Sequence, residues 1–298
     1  MKKTLSFMAI GVMCLCSITA MADGGNAGLL VVVHGSPSPS WNKPMTQLQN
    51  GIDDYIKNHE TPFTSSKVVN LEFKEPSVAQ GVKELIADGC KKIVAMPLFI
   101  THSSHVIFDI PAVLGQYASK SILEVLKEEG AEIAPDTVPI VMGPTLSEGD
   151  LLLKSAVQRV KEISTNPQDE AVVILLHGDH GVQGTWENLA RRTSNYVCAK
   201  TGIEYADWSF VEVGQSYATQ GYPAISQAAD CKKRVLVIGL YVSLSPKRMH
   251  DRVIKHSAKY MENAFKKMDV VFAERAFLPD PNIVEWLVET AQSITTKE

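Results

Sequence analysis

The chain has 298 residues, of which 45% are hydrophobic and 21% are charged, and its formal net charge is −4. This is the composition of an ordinary globular protein with one large or two medium domains. The small net charge and the lack of a basic run argue against nucleic acid or a membrane surface as a partner.

The first 22 residues have the parts of a secretory signal. A basic start, Met1-Lys2-Lys3, precedes an apolar stretch from Leu5 to Ile18, and Ala20-Met21-Ala22 forms a small-x-small cleavage site. The apolar stretch is short for a membrane span. We therefore predict a signal peptide at residues 1–22, cleavage after Ala22 and a periplasmic location.

Two of the five cysteines belong to this signal. The mature chain keeps Cys90, Cys198 and Cys231, an odd number. At least one thiol is therefore free or pairs between chains, so a homo-oligomer is left open.

Strands and helices are predicted to alternate along the rest of the chain. Runs rich in Val, Ile and Leu predict strands covered on both faces, at 29–34, 68–73, 92–100, 136–141, 171–177, 205–212, 234–242 and 269–274. Amphipathic stretches predict helices at 42–58, 77–88, 108–129, 146–164, 184–200, 216–229, 247–266 and 281–295. Such alternation favours parallel βαβ units. The polar stretch 164–169 contains a proline and predicts a boundary between domains at 23–165 and 166–298.

The second half repeats landmarks of the first in the same order. His34-Gly35 recurs 143 residues later as His177-Gly178, Glu72 recurs 140 residues later as Glu212, and Cys90-Lys91-Lys92 recurs as Cys231-Lys232-Lys233. We predict two similar α/β domains, each with a four-stranded parallel sheet flanked by helices, and a cleft between them. Ligands of such sheets bind beyond the carboxyl ends of the strands, where these landmarks lie.

The densest group of polar residues follows the third predicted strand. It consists of Thr101, His102, Ser103, Ser104 and His105. Asp109-Ile110-Pro111 then favours the start of a helix with Asp109 as its cap. Neutral imidazole is both a ligand for Co²⁺, Fe²⁺ or Ni²⁺ and a base near neutral pH. We expect His102 to be a solvated loop residue instead of a ligand.

Three segments together resemble the class II tetrapyrrole chelatases, especially the sirohydrochlorin cobaltochelatases. They are His34-Gly35-Ser36, the segment Leu71-Glu72 with Glu75-Pro76-Ser77-Val78, and Pro97-Leu98-Phe99 followed by His105-Val106 and Asp109-Ile110-Pro111. The resemblance implies insertion of a divalent metal, Co²⁺ first and Fe²⁺ or Ni²⁺ next, into a sirohydrochlorin-type tetrapyrrole. It implies that His34 and His105 are catalytic, that they bind the metal with Glu72, and that the metal is a substrate with no tightly bound cofactor. The chain departs from the family pattern at Ser103, where we expect glycine.

The second half lacks an equivalent of His105, and Lys247 occupies the corresponding position. We predict that this half shapes the cleft and binds substrate carboxylates, for which Arg248 and His250 are also suited. The predicted substrate-binding residues are Ser36, Thr101, Ser103, Ser104, His177 and Lys247. Trp41 is interpreted as a core residue.

Two alternatives have different chemistry. Gly214-Gln215-Ser216-Tyr217-Ala218 faintly resembles the nucleophile turn of a hydrolase, but the final glycine is missing. The stronger alternative is an exported metal- or tetrapyrrole-binding protein that uses a chelatase scaffold without turnover, because fold alone does not establish activity.

Overall fold

A computed structural model describes residues 26–116, 119–128 and 130–296. Within these ranges eight strands form two parallel sheets, with the order β2-β1-β3-β4 in one and β6-β5-β7-β8 in the other. The strands are β1 (Ala27–Val33), β2 (Phe63–Asn70), β3 (Lys92–Pro97), β4 (Ile140–Met142), β5 (Glu170–Leu176), β6 (Tyr205–Phe210), β7 (Arg234–Gly239) and β8 (Asp269–Phe272). The identical strand order confirms the predicted α/β fold with two four-stranded parallel sheets. The predicted signal peptide lies outside the described residues.

Helices connect the strands in both halves. They are α1 (Pro39–Asn58), α2 (Val78–Ala87), α3 (Ile110–Val113), α4 (Lys120–Glu128), α5 (Leu151–Ile163), α6 (Gln183–Thr201), α7 (Tyr222–Cys231), α8 (Pro246–His256), α9 (Glu262–Phe265) and α10 (Pro281–Thr295). Within the described ranges, no helix has both the length and the apolar character needed to cross a membrane.

Two predicted helices are interrupted, and a third, predicted at 146–164, begins only at Leu151 as α5. The segment predicted as one helix at 108–129 begins with a single π-helical turn, His105–Asp109, and continues as the short α3 before α4 starts at Lys120. The helix predicted at 247–266 ends at His256, where the chain bends and places Ala258 and Met261 in the core. Amphipathic spacing continues across both breaks, so the pattern alone does not reveal them.

Alternate side chains of the strands enter different cores. On β1, Leu29, Val31 and Val33 face the centre of the molecule, while Leu30 and Val32 pack under α2 and α3 on the outer face. The second sheet does the same with Val172 and Val173 of β5. Burial on both faces explains why these strands are continuous apolar runs.

The central core is shared by the two halves. Helix α5 of the first half packs on α6 and β7, and helix α10 of the second half packs on α1, β1 and β3. Leu152 and Leu287 bring these two helices into one apolar cluster. The loop 164–169 separates the strands of the two sheets, but packing crosses it, so division into domains at 165/166 stays a prediction.

Candidate active site

The carboxyl ends of β1, β2 and β3 place three polar side chains together. Backbone pairing continues beyond the strands, because the Glu72 amide donates to the His34 carbonyl at 3.0 Å. Gly35 has φ +91, and a Cβ there would lie 2.0 Å from the Glu72 carbonyl oxygen. Glycine is therefore required for this close approach. The strand predicted at 68–73 ends at Asn70, so Glu72 lies in the loop that follows it.

His34, Glu72 and His105 form a candidate metal-binding cluster. Their ligand atoms all lie within 4.8 Å of one another, and each residue is partly buried. The imidazole rings of His34 and His105 meet edge to face with their centroids 4.8 Å apart. In the part of the chain that the structure describes, this is the one group of three or more potential His, Cys, Asp or Glu ligands so arranged. Two nitrogens and a carboxylate with open positions suit a divalent metal.

Hydrogen bonds leave one nitrogen of each imidazole available. His34 Nδ1 donates to the Gly35 carbonyl at 3.0 Å, and His105 Nδ1 donates to Asp109 Oδ2 at 2.7 Å. With the proton on Nδ1 in each neutral ring, the lone pair is on Nε2. Metal-binding histidines usually have their second nitrogen oriented in this way.

Asp109 precedes α3 at the N-cap position that the sequence predicts, but its side chain is directed at His105 and does not cap the helix. Its side chain makes no capping hydrogen bond and faces back along the π-helical turn. The hydrogen bond to Asp109 raises the pKa of His105 above its ordinary value of 6.5; partial burial opposes this, and the charge of Glu72, 3.7 Å away, adds to it. The carboxylates thus increase the affinity of His105 for a proton.

A cleft of about 1500 Å³ extends from this cluster to the second half. Apolar and aromatic side chains line much of it, including Trp41, Phe99 and Phe210. Trp41 also packs against the central core, as predicted. His177 lines the opposite side, where its Nδ1 bonds the Gly178 carbonyl at 2.7 Å. Both halves therefore contribute to one binding space, and the predicted cleft is confirmed.

The predicted serine and threonine residues have different surroundings. Ser36 lines the cleft, and its Oγ accepts from the Ser38 amide at 3.2 Å. Ser103 is buried at the cleft, and its Oγ has no partner among the described residues. Thr101 is 1% exposed and its Oγ1 accepts from Ser147 at 2.8 Å, which makes it mainly a support for the loop. Ser104 Oγ donates to Asp179 at 2.7 Å.

The basic residues of α8 differ from the sequence prediction. Lys247 is not among the residues that line the cleft, and its Nζ pairs with Asp251 at 2.5 Å. His250 packs inside the half instead: it bonds Tyr217 at 2.8 Å, and burial lowers its pKa to about 4. Arg248 and Arg252 line the cleft. Neighbouring helix residues point about 100° apart, so only the packing of α8 decides which of them face the cleft.

Phe73 is a feature that the sequence analysis missed. It lies in the cleft beside His34, is 62% exposed and has φ 68. The Lys74 amide bonds the Glu72 carbonyl at 2.9 Å, so Phe73 is at the centre of a tight three-residue turn. A large aromatic side chain in this backbone conformation is uncommon, and such strain often occurs at functional sites.

Other candidates lie outside the cluster. His102 is half-exposed, with Nε2 3.6 Å from Glu148, as expected for a loop residue. Ser216 Oγ donates to Glu212 at 3.4 Å and not to a histidine, which argues against the hydrolase alternative. Cys90, Cys198 and Cys231 are free thiols outside the cleft lining.

Asp109→Ala should weaken Co²⁺ binding by about 10- to 100-fold, because a ligand histidine that loses its carboxylate partner is less well oriented and less basic. Titration monitored by the visible absorption of Co²⁺ would measure this. Asp150→Ala is a matched control, since Asp150 pairs with a lysine four residues away on α5. Equal losses in both variants would contradict the orienting role of Asp109.

Known proteins resemble this chain in sequence and in fold. The CbiX family model matches residues 28–163. The sirohydrochlorin cobaltochelatase of Saccharolobus islandicus (strain L.S.2.15 / Lassen #1) is 27% identical over 135 residues, which are 45% of this chain and 94% of that protein. The enzyme of the same name from Methanocaldococcus jannaschii is 32% identical over 87 residues, 29% of this chain and 57% of that protein.

Solved structures extend the likeness to both halves. SirB from Bacillus subtilis with Fe³⁺ has a TM-score of 0.66 at 14% identity. The superposition covers 92% of this chain and 98% of the SirB chain. The sirohydrochlorin chelatase SirB from Bacillus subtilis subspecies spizizenii in complex with cobalt has a TM-score of 0.61 at 14% identity, covering 91% and 96%. At this identity the likeness shows the fold, and the candidate histidine-carboxylate cluster lies in the half that the CbiX family model matches. The CbiX family model thus matches the first half of the chain, and the fold of both halves is that of the SirB chelatase structures.

Proposed function

We propose that this protein is a metal chelatase that inserts a divalent metal ion into a sirohydrochlorin-type tetrapyrrole. The observation that carries the proposal is the cluster of His34, Glu72 and His105, with ligand atoms within 4.8 Å, at one side of a cleft of about 1500 Å³. Ordinary ligand pockets are about 300–1000 Å³, so this cleft has room for a macrocycle. The names of the relatives agree with this substrate.

The chemistry needs two operations at the same place. The metal must reach the face of the ring, and two pyrrole protons must leave. His34 and His105 hold the metal through Nε2, with Glu72 as the oxygen ligand. As the metal passes to the ring, the same Nε2 atoms become free to accept the protons, and Asp109 stabilises the imidazolium of His105.

The lining of the cleft suits a flat, largely apolar ring with charged substituents. Phe73 and Phe99 flank His34, with ring centroids 5.9 Å and 6.4 Å from its own. The Ser103 hydroxyl has no partner among the described residues, and we assign it as a donor to the substrate. Arg248 and Arg252, across the cleft, are suited to the substrate carboxylates.

Imidazole and carboxylate ligands accept Co²⁺, Fe²⁺ and Ni²⁺, and Co²⁺ is our first choice because the relatives are named cobaltochelatases. Parallel assays with the three metals would decide between them. The metal is a substrate, so the proposed cycle needs no tightly bound cofactor.

The proposal is tested by mixing purified protein, sirohydrochlorin and Co²⁺ and following the absorption of the macrocycle. We expect many turnovers per protein molecule, faster than the protein-free reaction. A spectral change that stops at one equivalent would instead support a binding protein without turnover. Absence of any spectral change with Co²⁺, Fe²⁺ and Ni²⁺ would reject both metal insertion and tetrapyrrole binding.

Arg248→Ala should raise the KM for the macrocycle about tenfold with a smaller effect on kcat, because it removes a charged hydrogen-bond donor to a carboxylate. Lys247→Ala is the control on the same helix, and its KM should stay within about twofold because Lys247 pairs with Asp251 away from the cleft lining. Steady-state kinetics at varied macrocycle concentration measures both. The reverse order of effects would restore the role predicted for Lys247.

We also propose that the protein is exported and that signal cleavage follows Ala22. The supporting observation is the basic, apolar and small-x-small order of residues 1–22. N-terminal sequencing of periplasmic protein should begin at Asp23. An intact Met1 on a cytoplasmic protein would contradict the proposal.

A further inference from the structure

The His-Gly turns of the two halves have the same shape but different third residues. Gly35 and Gly178 both have positive φ, and both histidines bond the following glycine carbonyl. The residue after the glycine is Ser36 in the first half and Asp179 in the second. His177 is not part of the metal-binding cluster. The His177-Gly178 turn therefore has the same geometry as the first turn, although His177 is not a candidate metal ligand.

The carboxylate of Asp179 reaches the first half. Its Oδ2 accepts from both the amide and the hydroxyl of Ser104, at 2.8 Å and 2.7 Å. Its Oδ1 accepts from the Gly181 amide at 2.8 Å within its own loop. One oxygen satisfies the local turn, and the other is used entirely for the contact between the halves.

The contact lies directly before a proposed metal ligand. Ser104 precedes the π-helical turn that carries His105 and Asp109. The same loop is tied to its own half further back, where the Leu146 amide bonds the Phe99 carbonyl at 3.1 Å and Ser147 bonds Thr101. The bonds from Asp179 are made beside His105 itself and come from the opposite half.

We propose that Asp179 is a positioning residue that holds His105 in place for metal binding by fixing Ser104 from across the cleft. The inference rests on the proposed metal site and gives the second half a role in positioning a metal ligand of the first. The arrangement of the metal ligands then depends on how the two halves sit together. Asp179 itself needs no contact with the metal.

The test uses Co²⁺ alone as the probe and the full mature chain. Asp179→Ala should weaken Co²⁺ binding about tenfold and change the visible spectrum of the bound ion, because supporting residues orient metal ligands. Ser104→Ala removes the hydroxyl but keeps the amide, so its loss should be smaller. The double variant should bind Co²⁺ no more weakly than Asp179→Ala, because both substitutions act on the same contact between Asp179 and Ser104. In turnover with sirohydrochlorin, kcat should fall while the KM for the macrocycle stays within about twofold.

Asp280→Ala is the matched control. The Asp280 carboxylate accepts a hydrogen bond from the Asn282 amide at 3.0 Å, two residues further on. Asp179 makes the same local bond with the Gly181 amide. Unlike Asp179, however, Asp280 lies outside the active-site cleft. It should lower thermal stability without altering Co²⁺ affinity. If Asp179→Ala does not fold, Asp179→Asn keeps the size and one acceptor oxygen and should show a smaller loss in the same direction.

Unchanged Co²⁺ affinity and spectrum in folded Asp179 variants, or an equal loss in Asp280→Ala, would overturn the inference. A wild-type protein that binds Co²⁺ without accelerating insertion would reject the proposed function, while the comparison of Co²⁺ affinities would still decide the role of Asp179. A wild type that binds none of Co²⁺, Fe²⁺ and Ni²⁺ would overturn both.

Discussion

His105→Ala should lower the rate of metal insertion by about 10²- to 10⁴-fold, the usual contribution of a positioned proton acceptor, and His34→Ala should have a similar effect. Each change also removes one of the three clustered ligands, so Co²⁺ affinity should fall together with the rate. Isothermal titration with Co²⁺ and the sirohydrochlorin assay measure these quantities separately.

The chain supplies controls for this result. His102→Ala should keep most of the activity, because His102 lies on the same loop but outside the cluster and the cleft lining. His250→Ala tests the opposite case: it should destabilise the second half, where His250 stacks on Phe272, without acting at the metal. Full activity in the His34 or His105 variant would show that the ligands are wrongly chosen.

Co²⁺ binding should weaken as the pH falls, by about tenfold for each unit below the pKa of His105, because the metal must displace one proton from that ring. The hydrogen bond to Asp109 raises this pKa, burial opposes the shift, and the charge of Glu72 adds to it. The loss should therefore begin above pH 6.5, the ordinary value for histidine. Titrations in noncoordinating buffers across this range would measure it.

Asp109→Asn separates charge from geometry in this experiment. Removing the carboxylate charge lowers the pKa of His105, so the midpoint of the pH dependence should move to lower pH, although overall affinity is weaker. Glu72→Gln should move the midpoint in the same direction and also removes an anionic ligand. Binding that is independent of pH, or that strengthens on acidification, would be inconsistent with an imidazole site.

Much of the fold follows from local properties of the sequence. Apolar runs such as Leu29 to Val33 predict strands covered on both faces, and alternation with helices predicts a parallel arrangement. Such sheets place the carboxyl ends of their strands at one edge. This is why the sequence predicts that His34, Glu72 and His105 meet, although His34 and His105 are 71 residues apart.

The tertiary structure decided the features that depend on side-chain direction and on contacts distant in sequence. Asp109 resembles a helix cap in the sequence, yet a π-helical turn directs it at His105. Lys247 and Arg248 are adjacent and alike in charge, but the packing of α8 places only Arg248 at the cleft. Asp179 and Ser104 are 75 residues apart, and no sequence period relates them.

The sequence predicts some features and not others because the interactions that determine them act over different distances along the chain. Strand and helix formation follows from hydrophobic periodicity within about 5 to 20 residues, so the sequence by itself determined two four-stranded sheets and the edge at which the candidate site lies. Helix α5 packs on the second half and helix α10 packs on the first half. The apolar face of each helix could be buried against either sheet, so the sequence pattern does not determine this packing. Only the packed structure selects one arrangement, and that arrangement brings Asp179 of one half to Ser104 on the His105 loop of the other.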